Sequence, residues 1–317
     1  MEINQIRPLE SNFTEVLEKL VLNVKMLYYY GKLPDFDENV GENMDGKRPK
    51  CVGIVGARKN TPYGYEVAYK AAYAAAKAGA VVVSGLAYGC DSIAHRAALD
   101  AGGVTVAVLG TPIDQIYPRA HAGLAKEIVN RGGAVISEYG PGCNAGSGKE
   151  TAVRFLARNR IIAGLSDTVL VAEAAEKSGT LNTATHALSF GVNLMVAPGD
   201  ITRESSRGCN KLLAQGAIPY TEPDDLLDML FPERKRLFCG KGAAIRRQKQ
   251  QLERIAMKLE TEVERKIAAA IIAGVQDGEQ IMRGLALSAA DFSQNITILE
   301  IKGVVKSLGM NRWMIDG

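Results

Sequence analysis

The sequence contains no long apolar segment. None of its stretches remains apolar over the roughly 18 residues that a membrane-spanning helix requires. The first ten residues, MEINQIRPLE, also lack the apolar run of a secretory signal peptide. With 47% hydrophobic and 23% charged residues, the composition is typical of a soluble globular protein. We therefore expect a cytoplasmic protein without a membrane partner.

Paired cysteines are absent as well. The five cysteines are scattered, and no CxxC pair occurs. An odd number without such spacing argues against a disulfide framework and against a structural zinc site. We expect reduced thiols, no metal and no cofactor. The cysteines are Cys51, Cys90, Cys143, Cys209 and Cys239.

The common signatures of nucleotide-dependent enzymes and hydrolases are also missing. The loop after the first predicted strand is not GxGxxG, and neither HExxH nor GxSxG occurs. The segment GSGKET resembles the end of a phosphate-binding Walker motif, but Glu150 replaces the required Ser or Thr. The three histidines lie in alanine-rich helical contexts with no adjacent nucleophile, so we expect helix-surface or capping roles. They are His95, His121 and His186. The protein is therefore predicted not to be an enzyme.

From residue 51 onward, short apolar runs alternate with alanine-rich helical stretches. The runs are nearly continuous in apolar residues, as in parallel strands that are covered on both faces. Repeated alternation of this kind predicts a doubly wound α/β domain with a mostly parallel, Rossmann-like sheet. The predicted strands are 51–56, 80–85, 104–110, 134–139, 168–174 and 192–199. The predicted helices are 64–78, 91–101, 119–131, 152–164 and 179–190.

Composition shifts divide the chain into four predicted parts. Residues 1–45 form a helical segment, with a helix at about 13–26, and an acidic linker; residues 46–228 form the Rossmann-like domain. The net charge is only +3, yet residues 233–266 carry eleven Lys/Arg against five Asp/Glu, so 229–255 reads as a basic connector. Residues 256–317 offer helices at 261–273, 279–286 and 288–303 and a two-stranded hairpin. That outline predicts a small winged-helix-like domain.

The loops that follow the predicted strands share a composition. In an open parallel sheet, ligands bind at the carboxyl ends of the strands. Five of these loops are rich in Gly, Ser, Thr or Asn and carry Arg or Lys. Glycines allow close backbone approach, free helix amides attract anions, and cations add long-range attraction. This edge of the sheet is therefore predicted to bind phosphates.

Eight motifs in a characteristic order lie between residues 51 and 220. They are IVGARKNTPYG, VVSGLAYGCDSIAHRAAL, VAVLGTPIDQIYPRAH, ISEYGPG, FLARNRIIAGLSD, EAAEKSGTLNTATHAL, VAPGDI and GCNKLLAQGA. With them the sequence resembles the DNA processing protein A (DprA/Smf) family, and the tail resembles the winged-helix domain of many members. The resemblance implies a dimeric protein that binds single-stranded DNA and delivers it to the RecA recombinase during natural transformation.

The resemblance and the loop chemistry together select the candidate site residues. Arg58 follows the first strand, where the family motif also has arginine. The segment RNR at 158–160 is expected at the start of a helix facing DNA, although an arginine there could instead pair with Glu138 or Glu173. The predicted phosphate-binding residues are Gly56, Arg58, Ser84, Gly85, Arg158, Asn159, Arg160, Lys177, Ser178, Gly179, Thr180, Asn210 and Lys211. Phe155 is a candidate for base stacking or for the core.

Two other classes of function remain open at this stage. The segment SGTLNT resembles the catalytic GGxGTxxE of nucleotide phosphoribohydrolases, but Thr183 occupies the position of the catalytic glutamate. A degenerate enzyme of that type is one alternative. The other is a sensor that binds a small phosphorylated nucleotide in the same pocket. Dependence of affinity on oligonucleotide length distinguishes a DNA-binding protein from both.

Overall fold

The computed structural model describes residues 1–20, 22–34, 48–144, 146, 148–233, 258–272, 275–309 and 311–315. Most of the predicted acidic linker and of the basic connector 229–255 lies outside these ranges. The chain divides into two compact units, Met1–Pro232 and Glu233–Gly317. Among the described residues, no helix is long and apolar enough to cross a membrane.

The N-terminal residues belong to the first unit rather than to a separate helical segment. They form β1 (Asn4–Ile6), α1 (Glu15–Lys19) and β2 (Leu27–Gly31). β1 pairs with β2, and β2 pairs antiparallel with residues 134–137 of the large sheet. The predicted helix at 13–26 is thus much shorter. Pairing with a distant strand, which local sequence does not reveal, determines the structure here.

The predicted parallel strands are confirmed with slightly shorter bounds. They are β3 (Cys51–Val55), β4 (Val81–Ser84), β5 (Thr105–Leu109), β6 (Ala134–Ser137), β7 (Thr168–Val171) and β8 (Asn193–Val196). Nearly every residue in them is buried, because helices cover both faces of the sheet. A short β9 (Ile218–Pro219) adds an edge that was not predicted. Among the described residues the strand order is β1-β2-β6-β5-β4-β3-β7-β8-β9.

Helices connect the parallel strands as the alternating pattern predicts. α2 begins at Pro62, capped by the Thr61 hydroxyl, which accepts a hydrogen bond from Gly64 N at 3.2 Å. The helices of this unit after α1 are α2 (Pro62–Lys77), α3 (Cys90–Asp100), α4 (Ala122–Asn130), α5 (Lys149–Leu165), α6 (Thr180–Ser189), α7 (Glu204–Ala214) and α8 (Pro223–Leu230). The last two were not predicted.

The strand order reverses direction at β3. From β3 the chain adds β4, β5 and β6 on one side, and it then returns through α5 to place β7 and β8 on the other side. The loop after β3 and the loop after β7 therefore leave two neighbouring strands in different directions. A crevice at the carboxyl ends of the strands follows from this topological switch, and such crevices are where open α/β sheets bind ligands.

The second unit contains three helices followed by a hairpin. The helices are α9 (Glu262–Ile272), α10 (Gly278–Leu285) and α11 (Ala289–Ile301), and the strands are β10 (Val305–Gly309) and β11 (Arg312–Ile315). The strands pair antiparallel, and the unit has its own apolar core. These elements match the predicted helices and strands. The assignment of the unit as a winged helix stays a prediction.

Candidate nucleic-acid interface

A cavity of about 700 Å³ lies at the topological switch point. The loop after β3, the loop after β7 and one face of α5 line it. Its described lining contains four cationic side chains and one carboxylate, which belongs to Asp91. We call it the switch-point cavity. Its position and charge agree with the predicted phosphate-binding edge.

The loop after β3 presents Arg58 at the rim of the cavity. Gly56 is required before it, because a Cβ at this position would lie 2.5 Å from Cys90 Sγ. Gly89 has a φ of +76° and packs its Cα against the backbone of residues 57 and 58. These close contacts hold the loop against α3. Arg58 itself is exposed and forms no ion pair among the described residues.

Arg158 lies beneath the cavity rather than at its rim. Its side chain is only 4% exposed, and Nη1 donates to the carbonyl oxygens of Gly85, at 2.6 Å, and Val108. No carboxylate in the described part of the chain lies within 4.0 Å of the guanidinium. Burial is the main cause that lowers the pKa of Arg158 to about 10, so it remains protonated at neutral pH. Asp91 opposes the shift in pKa, but its own Oδ2 accepts from Gly85 N.

Arg160 has a different role from the predicted one. Its Nη2 lies 2.7 and 2.9 Å from the two carboxylate oxygens of Glu138, and it does not line the cavity. The expectation that Arg158 and Arg160 sit at a helix start is also wrong. Both lie in the second half of α5, which begins at Lys149 and therefore offers them no free amide groups. The alternative partner Glu173 is occupied elsewhere, since it accepts from Thr61 N and Oγ1 at 2.8 Å.

The start of α6 forms the opposite wall. Lys177, Ser178, Gly179 and Thr180 line the cavity, and Gly179 is the residue before the first helical turn, as predicted. The Thr180 hydroxyl, however, donates to Gly56 O at 3.0 Å, so it joins the two loops. Lys177 is exposed and has no ion pair in the described ranges. It is the group on this wall best placed to meet an anion.

Two side chains of α5 complete the lining. Asn159 Nδ2 donates to Asn182 Oδ1 at 3.2 Å, which ties α5 to α6. Phe155 is half-buried, with one side against Gly110 and Tyr117. The guanidinium carbon of Arg58 lies 5.7 Å from the centre of its ring. One side of Phe155 thus packs inward while the ring borders the cavity, and its role in base stacking stays a prediction.

Besides Arg160, four of the predicted site residues lie away from the cavity lining. Ser84 is fully buried and donates to Ile54 O at 2.6 Å, so its predicted phosphate contact is corrected to a role within the sheet. Gly85 is buried against the Arg158 guanidinium, which a Cβ would displace. Asn210 exchanges two hydrogen bonds with the backbone of Gly199. Lys211 forms an exposed ion pair with Glu176 at 3.1 Å.

Two of the three histidines are buried rather than on a helix surface, although His121 is the residue before the first turn of α4, which is a cap position. His95 is fully buried with Nδ1 2.7 Å from Thr105 Oγ1, and His121 is buried with Nδ1 2.8 Å from Leu86 O. His95 lies in the interior because most residues of α3 are buried. His186 is partly exposed and stacks on Phe190. Thr183 is buried in the cavity wall.

Sequence reasoning missed several lining residues. Lys59 is exposed beside Arg58, and the composition of that loop could have identified it. Tyr88 and Tyr117 border an adjoining notch together with Arg58 and Phe155. Tyr117 comes from the loop after β5, which is poor in glycine and was not among the five selected loops. Only the strand order shows that this loop lies near the cavity.

Comparison with known proteins identifies the family. The model of the family described as DNA recombination-mediator protein A matches residues 4–231. A putative DNA processing protein DprA of Mycobacterium tuberculosis is 34% identical over 273 residues, which cover 86% of this chain and 66% of that protein. The chain thus spans about two thirds of that relative. Protein Smf of Synechocystis is 35% identical over 323 residues, covering 95% of this chain and 77% of the relative.

Solved structures give the same result. DprA of Streptococcus pneumoniae superposes with a TM-score of 0.60 at 34% identity, covering 72% of this chain and 74% of that one. DNA processing protein A of Helicobacter pylori gives a TM-score of 0.59 at 29% identity, and the match covers 74% of this chain and 97% of that one. The H. pylori structure describes a single-stranded DNA binding mode of that protein. Since the family model spans the whole described sheet unit and relatives match over most of the chain, this protein belongs to the DNA recombination-mediator protein A family, that of DprA and Smf.

Proposed function

We propose that this protein binds single-stranded DNA at the switch-point cavity. The observation that carries the proposal is the buried guanidinium of Arg158, which lies at the cavity lining without a carboxylate within 4.0 Å among the described residues. A buried charge that no carboxylate contacts directly is costly, and a bound anion lowers that cost. A phosphate is the anion that the surrounding glycine-rich loops accommodate.

The other cations extend the same attraction to the surface. Arg58, Lys59 and Lys177 are exposed around the opening, and none forms an ion pair within the described ranges. Exposed cations at the rim attract a polyanion over a distance of about 10 Å at 0.1 M salt. A flexible single strand can bring successive phosphates to both walls of the cavity, whereas a rigid duplex has less freedom to do so.

The bases have an aromatic partner beside the phosphate site. Phe155 borders the cavity next to Arg58, an arrangement that allows a base to lie against the ring or the guanidinium. Stacking is tolerant of sequence, because every base has a π face. We therefore propose binding with little base preference, in keeping with the single-stranded DNA binding described for the H. pylori relative.

Salt titration of the Arg58→Ala variant tests the proposal. Each phosphate contact releases condensed counterions, so log affinity for single strands falls with log salt by about 0.7 per contact. Arg58→Ala should weaken binding at low salt and reduce that slope by about 0.7. Arg96→Ala is the matched control, because Arg96 is exposed on α3 outside the cavity lining. If the two variants behave alike, the cavity is not the phosphate site.

Oligonucleotide length separates this proposal from a small-ligand sensor. A single-strand binder gains affinity as the oligonucleotide lengthens, whereas a nucleotide sensor binds a mononucleotide as well as an oligomer. We expect affinity to rise with length and to exceed that for duplex DNA of equal length. Equal affinity for mononucleotide and oligomer would favour the sensor. Equal or better duplex binding would contradict the strand preference.

The finer part of the proposal concerns partners. We propose, from family membership, that the protein forms a homodimer and delivers bound single strands to the RecA recombinase without catalysing a reaction itself. Light scattering tests the dimer through the molar mass in solution. The effect of the protein on RecA filament assembly over strands covered by single-strand-binding protein tests delivery. A monomeric mass would contradict the homodimer, and unchanged filament assembly would contradict delivery to RecA.

A further inference from the structure

An exposed aromatic patch adjoins the switch-point cavity. Tyr88 follows β4, Tyr117 follows β5, and each side chain is 50% exposed. They border a shallow notch of about 30 Å³ together with Arg58 and Phe155. The ring of Tyr117 lies 5.4 Å from that of Phe155, measured between centroids. The ring of Tyr88 lies 4.9 Å from that of the buried His121, measured between centroids. Each of the two exposed tyrosine rings therefore packs against a less exposed ring.

The notch and the cavity form one continuous surface. Arg58, Ala87 and Phe155 line both of them. A strand with one phosphate at Arg58 and one base at Phe155 therefore meets the tyrosines next if it leaves the cavity on this side. Arg119, two residues after Tyr117, is exposed and has no ion pair in the described part of the chain.

We propose that Tyr88 and Tyr117 form a second base-binding subsite, for the nucleotide adjacent to the one at Phe155. This inference rests on the proposed function, because the subsite serves only a strand that already occupies the cavity. Both tyrosines line the notch and half of each side chain is exposed, so their rings are open to contact with a base. Neutral, exposed aromatic faces beside a cationic cavity suit a stacked base rather than a further phosphate.

The test compares aromatic variants on two kinds of strand. The first probe is an oligothymidylate longer than the roughly 4–16 nucleotides that a single-strand site covers. The second is a strand of the same length and charge composed of abasic nucleotides. The variants are Tyr88→Ala, Tyr117→Ala, their combination, and the matching Phe substitutions. Tyr65→Ala is the control, because Tyr65 is also 50% exposed but lies on α2.

The expected result is a loss confined to strands with bases. Each Ala variant should bind oligothymidylate about tenfold more weakly than the parent, because one stacking contact is lost. Each Ala variant should bind the abasic strand with the parental affinity. The Phe variants and Tyr65→Ala should retain the parental affinity. Melting temperatures should fall only slightly, since half of each side chain is exposed, and an equal affinity for the abasic strand shows that the variant is folded.

Failure of this inference is distinguishable from failure of the proposed function. If Arg58→Ala weakens binding while the double Tyr variant binds oligothymidylate like the parent, the second subsite is wrong and the phosphate site stands. An equal loss on the abasic strand would likewise overturn stacking. If the parent does not bind oligothymidylate, or Arg58→Ala has no effect, the proposed function itself fails.

Discussion

Arg158 and Arg160 lie two positions apart on α5 but have different surroundings. A separation of two residues turns side chains about 200° around a helix, so they point to different neighbours. Arg158 enters the interior and holds the carbonyls of Gly85 and Val108, whereas Arg160 pairs with Glu138. The sequence motif RNR therefore contains a buried cation at the cavity and a scaffold ion pair.

The ion pair makes a prediction about stability. Arg160→Ala removes two hydrogen bonds to Glu138, whose side chain is only 21% exposed. The free energy of unfolding should fall by about 1–3 kcal/mol, because the carboxylate loses charged donors. Urea unfolding measures this change, and the salt slope of DNA binding should stay parental. The double variant Arg160→Ala/Glu138→Ala should cost less than the sum of the two single variants. Strict additivity would contradict the pairing.

His95 predicts an acid-dependent loss of stability. The hydroxyl of Thr105 donates to Val82 O at 2.7 Å, so His95 Nδ1 must carry the proton that it shares with Thr105. Burial first, and then Arg158 and His121, lower the pKa of His95 from 6.5 to about 3. The unfolded chain binds a proton on this side chain at higher pH than the folded one does. The contribution of neutral His95 to the free energy of unfolding is therefore fully present above pH 6.5, and it is lost as the pH falls toward about 3.

The substitution His95→Gln tests whether His95 causes this loss of stability at low pH. A side chain that does not titrate should flatten the decline in the free energy of unfolding between pH 6.5 and about 3, whatever its effect at neutral pH. Urea unfolding at a series of pH values measures the slope for parent and variant. Identical slopes would show that other groups cause the acid sensitivity.

At the scale of elements, α5 connects the two halves of the sheet. It carries the chain from β6 back past β3 to β7, and its inner face supplies Phe155, Arg158 and Asn159 to the cavity. Its far end packs on α1, where a Cβ on Gly164 would lie 2.7 Å from Leu22 Cδ1 and 3.0 Å from Leu17 Cδ2. The N-terminal segment therefore supports the helix that builds the site.

That contact predicts that a residue far from the cavity contributes strongly to the stability of the first unit. Leu17 is fully buried, so Leu17→Ala should lower the free energy of unfolding by about 2–5 kcal/mol through lost burial and a cavity. Leu9→Ala is the control, because Leu9 is 68% exposed, and it should be nearly neutral. Urea unfolding of both variants measures the difference. Equal small effects would mean that the N-terminal segment does not contribute to the core of the first unit.

At the scale of the whole molecule, the two units have separate cores. The apolar cluster of the second unit contains residues from Leu259 to Val305, and it includes none from the sheet unit. Helix α11 carries Asp291 and Glu300 and no Lys or Arg, a poor composition for contact with a phosphate backbone. The strongest cationic site described lies in the first unit.

Truncation tests this division. Removing residues 256–317 should leave affinity for single strands within a few fold and the melting of the first unit unchanged, because every described residue that lines the switch-point cavity belongs to that unit. Anisotropy titration with the same oligonucleotide compares full and truncated chains. A hundredfold loss would show that the second unit belongs to the main binding site.

Local sequence patterns were enough to predict the class of fold and the edge of the sheet where the candidate site lies. Continuous apolar runs predict buried parallel strands, and glycine-rich cationic loops predict an anion-binding edge, because both signals are local and periodic. The strand bounds agree to within a few residues, and the family motifs place Arg58 and the start of α6 on the cavity. These features depend on residues that are close together in the chain.

Local sequence patterns do not show which side chains reach the cavity, because that depends on long-range packing. The pairing of β2 with β6, the approach of Tyr117 to Phe155 and the separation of Arg158 from Arg160 each depend on contacts between residues distant in sequence. The burial of Ser84 and His95 depends on how helices pack on the sheet. Local propensity carries no information on such contacts, because packing and long-range pairing set them.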